Sequence, residues 1–227
     1  MKAAGICHTD LSVMTGHLKA PIPGILGHEG AGIVVDVGDG VNSVEPGDHV
    51  IPLWRLSCGL CEYCSESRPA LCPVGTEIRA SGRLQDGTSR FSYKGQEILH
   101  FAGVSAFSNY TVLPEGSVLK IPKDLPFELA ALLGCSVITG VGSVINTTNL
   151  KPGRTVAVFG VGGVGVNIVQ GAVLSGAKRI IAIDRHDVRL EQVREFGGTD
   201  TINGSREDPV ESIRNLTEGR GVDCAFE

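Results

Sequence analysis

Thr155-Val-Ala-Val-Phe-Gly160-Val-Gly162-Gly163-Val-Gly165 is a short apolar run that closes on a cluster of glycines. An unbroken run of this kind predicts a strand buried on both faces of a parallel sheet, and the apolar residues that continue to Ser175 predict the helix after it. Glycines at 160, 162, 163 and 165, with Val164 among them, let backbone approach a pyrophosphate, and the helix N-terminus supplies N–H donors and a positive dipole end. Arg179-Ile-Ile-Ala-Ile183 reads as the next strand. Asp184 ends it 19 residues beyond Gly165, where a dinucleotide-binding unit needs an acid for the adenosine ribose, and Arg185 and Arg189 are assigned to the same cofactor site.

Downstream, Thr201-Ile-Asn203, a helix over Pro209 to Thr217 and Val222-Asp-Cys-Ala-Phe226 continue the strand and helix alternation, which predicts half of a doubly wound domain. Upstream, Lys151-Pro-Gly153 is the turn into the first strand, and residues 126–147 carry apolar side chains at helical spacing around Cys135. The expected domains are 1–136 and 137–227.

The first of these reads as β-rich, barrel-like or sandwich-like, with turn signals at short intervals. Ala3 to Ile6 is the end of a strand, Gly32 to Gly38 alternates as a strand, Val44 to Asp48 turns into His49-Val-Ile-Pro-Leu53, and Asn109 to Leu113 is read as strand. Cys58, Cys61, Cys64 and Cys72 crowd into one short segment. Four thiolates so close can complete a tetrahedral shell with no open position, which is the donor set of a structural zinc.

Three other segments hold Cys7-His8-Thr9-Asp10, Gly27-His28-Glu29-Gly30 and Cys135. One imidazole and two thiols fit a catalytic zinc with a fourth position left to water or substrate. Asp10 and Glu29 offer carboxylates to orient the imidazole. Singly, each cysteine is as compatible with a small buried hydrophobe, and each histidine with a satisfied core residue.

The chain has 227 residues and a formal net charge of −5, with no basic block, so nucleic acid and anionic membrane are not expected partners. The sequence reads as containing no run of about 18 apolar residues and no secretion signal, which predicts a cytoplasmic protein. Seven cysteines, an odd number, suit metal ligation in a reducing compartment better than a disulfide framework.

With these residues assembled, the chain resembles the zinc-containing medium-chain alcohol dehydrogenases of the horse liver type. Gly27-His28-Glu29-x2-Gly32-x5-Gly38-x2-Val41 is similar to that family's zinc signature, as are the four-cysteine lobe, Gln85-Asp-Gly-Thr-Ser-Arg-Phe91 and the glycine loop. The resemblance implies a GroES-like catalytic domain, a partial Rossmann-type coenzyme domain, and a chain that lacks a short N-terminal piece, the last coenzyme strands and the C-terminal return. It implies a catalytic zinc on Cys7, His28 and Cys135, a structural zinc on the lobe, and NAD as hydride acceptor. By the same resemblance Thr9 contacts the substrate hydroxyl and begins proton removal, Asp10 braces His28, and Glu29 stands close behind the metal. His8 faces the coenzyme pyrophosphate, Thr139 and Val164 back the nicotinamide, and Asp184 favours NAD over NADP. Leu18, Trp54 and Phe101 line the substrate pocket, a role that ordinary core packing would equally explain.

Two departures bear on substrate. Ser12 stands where liver enzymes end their proton relay in histidine, so the proton leaves through Ser12 and water or through another base. Thr76 stands where glutathione-dependent formaldehyde dehydrogenases carry an anion-binding arginine, which argues against that substrate. A tryptophan at 54 narrows the pocket toward flat or slender primary alcohols. The expected activity is oxidation of a primary alcohol, aromatic ones included, to an aldehyde, by a homodimer when full length. Rivals are a polyol or S-hydroxymethyl-thiol dehydrogenase, a zinc-dependent interaction module without catalysis, and an inactive fragment.

Overall fold

A computed structural model describes residues 1–227 in full. It divides into two compact units, Met1–Cys135 and Ser136–Glu227.

In chain order the first unit holds β1 (Ala3–Gly5), α1 (His8–Met14), β2 (Gly24–Ile25), β3 (Glu29–Ile33), β4 (His49–Pro52), α2 (Glu62–Ser65), α3 (Pro73–Ser81), β5 (Phe91–Tyr93), β6 (Gln96–His100), β7 (Val118–Lys120) and α4 (Phe127–Leu132). An antiparallel sheet runs β1-β3-β4-β7, and a second sheet runs β2-β6-β5. Ala31, Ile51, Ile121, Ala130 and Ala131 form the core between the first sheet and α4. Small residues on α4 let it lie close over β1 and β3, and that holds the two strands that precede and contain the candidate donors. This β-rich unit agrees with the expected fold class.

Two expected strands differ. The β3 ladder stops at Ile33, after which Val34 exchanges backbone bonds with the Gly47-Asp48 turn, so residues 34–38 are irregular. Asn109 to Leu113 forms no strand. It is tied down locally instead, with the Thr111 hydroxyl donating to the Val104 carbonyl at 2.7 Å.

The second unit holds α5 (Ile138–Gly142), β8 (Thr155–Phe159), α6 (Gly163–Leu174), β9 (Arg179–Asp184), α7 (Asp187–Glu195), β10 (Asp200–Asn203), α8 (Pro209–Leu216) and β11 (Cys224–Phe226). Its sheet is parallel in the order β10-β9-β8-β11, with Phe159 paired to Ile183. Val156, Ala157 and Val158 are wholly buried, as a strand covered on both faces requires. The Asp208 carboxylate caps α8 by accepting from Val210 and Glu211 N–H.

Residues 127–147 are continuously helical, with π-helical turns at Leu133–Val137 and Ser143–Thr147. Contrary to the reading that no such segment exists, this helix has a mean hydropathy of 1.8 and the length to cross a membrane. Its apolar character has a packing use: α4 lies on β1 and β3, and α5 lies on α6. Gly140 is required there, since a Cβ would come within 2.6 Å of the Val164 carbonyl.

Candidate active site

β1 delivers the chain to Cys7, which starts α1. Cys7 N–H donates back to Asp10 Oδ2 at 3.1 Å, and Gly27 N–H donates to Asp10 Oδ1 at 3.0 Å. Asp10 therefore ties the α1 entrance to the segment before β3, although only 1% of it is exposed. His28 follows Gly27, whose φ of +91° and contact with the Phe107 backbone admit no side chain. Glu29 pairs with Gly5 across the sheet, and a Cβ at Gly5 would lie 2.2 Å from Glu29 Oε2.

Cys135 arrives from the far end of the unit, in the π-helical turn Leu133–Val137. Such turns recur at functional sites because the extra residue re-aims a side chain. The donor atoms of Cys7, His28, Glu29 and Cys135 lie within 4.8 Å of one another, and all but Cys7 belong to buried residues. Burial first, then the neighbouring Cys7 and Glu29, push the Cys135 thiol well above its ordinary value.

These residues fit zinc. Soft thiol donors, an imidazole and a carboxylate converge in a largely buried place. The Nδ1 of His28 is buried without a hydrogen bond, its nearest carboxylate oxygen being Asp10 Oδ1 at 3.5 Å. Asp10 thus stands on the side of the ring from which the outer nitrogen of a ligating histidine is oriented.

One side of the donor cluster opens on a cavity of about 260 Å³. Thr9, Leu18, Trp54 and Phe101, all singled out in the sequence, line it together with His28 and Cys135. Trp54 and Phe101 present their rings to the His28 imidazole edge-on, at centroid distances of 6.1 and 5.8 Å. Ser12 is not among the lining residues; its carbonyl accepts Leu18 N–H at 2.9 Å and so fixes the turn that brings Leu18 to the cavity. Lys19 and Arg79 also line the cavity and were not foreseen. For Arg79 a signal existed: it lies three residues beyond Thr76 on α3, hence on the same helix face.

The lobe is assembled as its spacing predicts. The four sulfurs of Cys58, Cys61, Cys64 and Cys72 lie within 4.8 Å of one another, and no cysteine forms a disulfide. Cys58 N–H points at the Cys72 sulfur, 3.3 Å away, and Cys61 N–H at the Cys58 sulfur, 3.4 Å away. Backbone donation, from Gly75 foremost, draws Cys72 down to about 6. The Cys64 N–H acts to lower Cys61, but burial and the neighbouring sulfurs outweigh it and push Cys61 up to about 11; four thiols crowded together in this way are the donor set of a closed zinc shell.

In the second unit, Gly160, Asp184, Arg185 and Arg189 border one cavity of about 470 Å³. Gly165 has a packing reason to be glycine, because a Cβ would fall 1.9 Å from the Gly160 carbonyl oxygen. Gly162 and Gly163 have none: a Cβ at either would meet no protein atom closer than 3.9 Å. The space they leave lies at the start of α6, whose first N–H groups receive no side-chain cap. An anion such as a pyrophosphate fits there. Burial opposes ionisation of Asp184, but N–H donors of His186, Val161 and Arg185 outweigh it and hold the carboxyl below the usual range. Arg189 lies 3.5 Å from Asp184 Oδ2. Val164 is 40% exposed at the loop, Thr139 is exposed on α5, and His8 is exposed on α1 of the first unit.

Comparison with known proteins settles the family. The alcohol dehydrogenase GroES-like domain family matches residues 1–123, and the zinc-binding dehydrogenase family matches residues 163–227. The chain belongs to the zinc-binding alcohol dehydrogenases. Zinc and NAD are the cofactors of this family, and the expected fold, a GroES-like unit followed by a Rossmann-type unit, is the observed one. The chain is 47% identical to the S-(hydroxymethyl)glutathione dehydrogenase of Escherichia coli O1:K1 over 225 residues, which cover 98% of it and 61% of the relative. It is similar to the crystal structure of an alcohol dehydrogenase zinc-binding domain protein from Burkholderia ambifaria, with a TM-score of 0.92 and 38% identity over 98% of this chain and 60% of that one. Benzyl alcohol dehydrogenase from Acinetobacter calcoaceticus gives a TM-score of 0.90 and 35% identity, over 99% of this chain and 60% of that one. The chain thus spans about three fifths of the length of the relatives it matches.

Proposed function

We propose that this alcohol dehydrogenase chain carries the metal site, substrate pocket and pyrophosphate loop of an enzyme that oxidises a flat primary alcohol to an aldehyde. The alcohol and NAD+ give the aldehyde, NADH and a proton. The observation that carries the reading is that His28 and Cys135, whose donor atoms cluster with that of Cys7, line a cavity walled by Leu18, Trp54 and Phe101. Zinc, when bound, supplies Lewis acidity that favours loss of the hydroxyl proton near neutral pH, and NAD supplies the hydride acceptor.

Cys7, His28 and Cys135 would hold the metal, with Glu29 beside it. Asp10 orients His28 through Nδ1. Thr9, on the cavity wall, accepts the substrate hydroxyl proton at Oγ1 and passes it outward, with Ser12 or water as the next station. Trp54 and Phe101 exclude water and flank a planar substrate. In the coenzyme unit Gly160, Gly162, Gly163 and the α6 N-terminus cradle the pyrophosphate, Asp184 takes the adenosine ribose and repels a 2′-phosphate, and Val164 and Thr139 back the nicotinamide. The setting is cytoplasmic and the full-length protein a homodimer.

A second reading, oxidation of S-(hydroxymethyl)glutathione, is favoured by the names of the Escherichia coli relatives and opposed by Thr76. NADH formation from benzyl alcohol, sorbitol and S-(hydroxymethyl)glutathione separates the readings. The first requires benzyl alcohol to lead and Cys135→Ser to abolish turnover. A dominant glutathione adduct would establish the second, and no NAD-linked oxidation of any of the three would overturn both.

A further inference from the structure

The cavity beside the metal donors has an electrostatic bias that an ordinary alcohol does not need. Its lining includes two cations, Lys19 and Arg79, and no aspartate or glutamate, in a chain whose net charge is −5. Arg79 is the more telling. Its guanidinium carbon lies 5.7 Å from the Trp54 ring centroid, and that of Arg55 lies 4.9 Å from the same ring. Arg55 at least donates to the Ala70 carbonyl, at 3.2 Å. Arg79 has no carboxylate within ion-pair distance; its one hydrogen bond is a long contact of 3.4 Å to Thr76 Oγ1, and its Nε is buried with no partner. A guanidinium presents five N–H donors, and burying one unmatched costs free energy unless a ligand supplies the acceptor. Burial, and the charge of Arg55 after it, hold Arg79 below its ordinary value, as expected of a cation short of a counter-ion.

We infer that the substrate of the proposed dehydrogenase carries a carboxylate remote from its hydroxyl, received by Arg79 against the face of Trp54. A planar carboxylate matches the guanidinium fork and Nε in a paired arrangement. The hydroxyl end lies toward Thr9 and the metal donors, and Lys19 adds a second favourable charge at the cavity wall. The inference deepens the proposed function and rests on its placement of the substrate. Two sources fit: an aromatic alcohol bearing a carboxylate, or a hydroxymethyl adduct of a carboxylate-containing thiol.

Trp54 is the chain's one tryptophan, so its fluorescence reports occupancy of this cavity directly and without turnover. Zinc-loaded protein is titrated with 4-(hydroxymethyl)benzoate, S-(hydroxymethyl)glutathione and the neutral benzyl alcohol. At least one carboxylate ligand should bind about 10- to 100-fold more tightly than benzyl alcohol, the scale of a hydrogen bond to a charged group, and which one does identifies the source. That preference should collapse in Arg79→Met and survive in part in Arg79→Lys. If Arg79→Met fails to fold, loss of the preference at high salt in the native protein is the matching readout. Equal binding of charged and neutral alcohols, or a preference that Arg79→Met leaves intact because the carboxylate sits on the metal, would overturn the inference. NADH formation from the same ligands is followed separately. Its absence with Arg79-dependent binding preserved would remove the dehydrogenase reading and leave the anion pocket standing.

Discussion

Asp10 Oδ1 stands 3.5 Å from His28 Nδ1 while accepting the N–H of Gly27 at 3.0 Å. One buried carboxylate thus fixes the backbone before the histidine and stands beside its ring nitrogen without a hydrogen bond to it. Asp10→Asn keeps one acceptor oxygen but loses the charge that makes the imidazole a good donor. Zinc affinity at the Cys7-His28-Cys135 site should fall about 10- to 100-fold, measured by competition with a chromophoric chelator. Unchanged affinity would mean that the 3.5 Å separation is only packing.

The two kinds of glycine in the coenzyme loop should separate on substitution. Gly165→Ala forces a Cβ onto the Gly160 carbonyl and should destabilise the protein by about 1–3 kcal/mol or more in urea unfolding. Gly162→Ala meets no protein atom, so its effect on stability should stay within about 0.5 kcal/mol while NAD binding weakens. Intact NAD binding in Gly162→Ala would take the pyrophosphate away from this loop.

Elemental analysis of purified protein should give close to two zinc per chain, one for each cluster of donors. Cys72→Ser should remove one of them and lower the melting temperature, because Cys72 is buried where Cys58 N–H points at its sulfur. Two zinc retained in that variant would exclude Cys72 from the shell.

The acid limb of stability should carry a signature of Asp184. Its folded-state pKa lies below the unfolded value of about 3.9, so its contribution is complete above that pH and is lost as pH falls through the lower, folded value. Asp184→Asn should therefore flatten the decline in unfolding free energy below about pH 4, as followed by urea titration at pH 5, 4 and 3. The same slope in both proteins would show that the three N–H donors bind the neutral and charged forms alike.

The strands and helices of the coenzyme unit were legible because their signals are local. An apolar run, a glycine cluster and an acid at a fixed spacing belong to consecutive elements, and the chain between β8 and β9 has one short route between them. The cysteine lobe was legible for the same reason. Asn109 to Leu113 misled because β-forming residues make a strand only when a neighbour supplies a ladder, and a single bond from the Met1 amino group to the Asn109 carbonyl does not make one. The apolar helix over residues 127–147 was understated because its glycines and hydroxyl residues break a run of hydrophobic letters without breaking its hydropathy.

By itself the sequence determined which donors exist, that the four lobe cysteines gather and which fold carries them. That Cys7, His28 and Cys135 share one site with Glu29 beside it was expected from donor chemistry and the family resemblance; tertiary structure supplied the geometry. It brought Cys135 from the far end of its unit beside Cys7 and His28 through a π-helical turn, placed Glu29 among the donors over the gap at Gly5, and turned Arg79 from a surface letter on α3 into a half-buried cation facing Trp54. Sequence distance carries no information about such encounters. They are fixed by how α4 and the β1-β3-β4-β7 sheet pack, and by which polar groups that packing leaves without a partner.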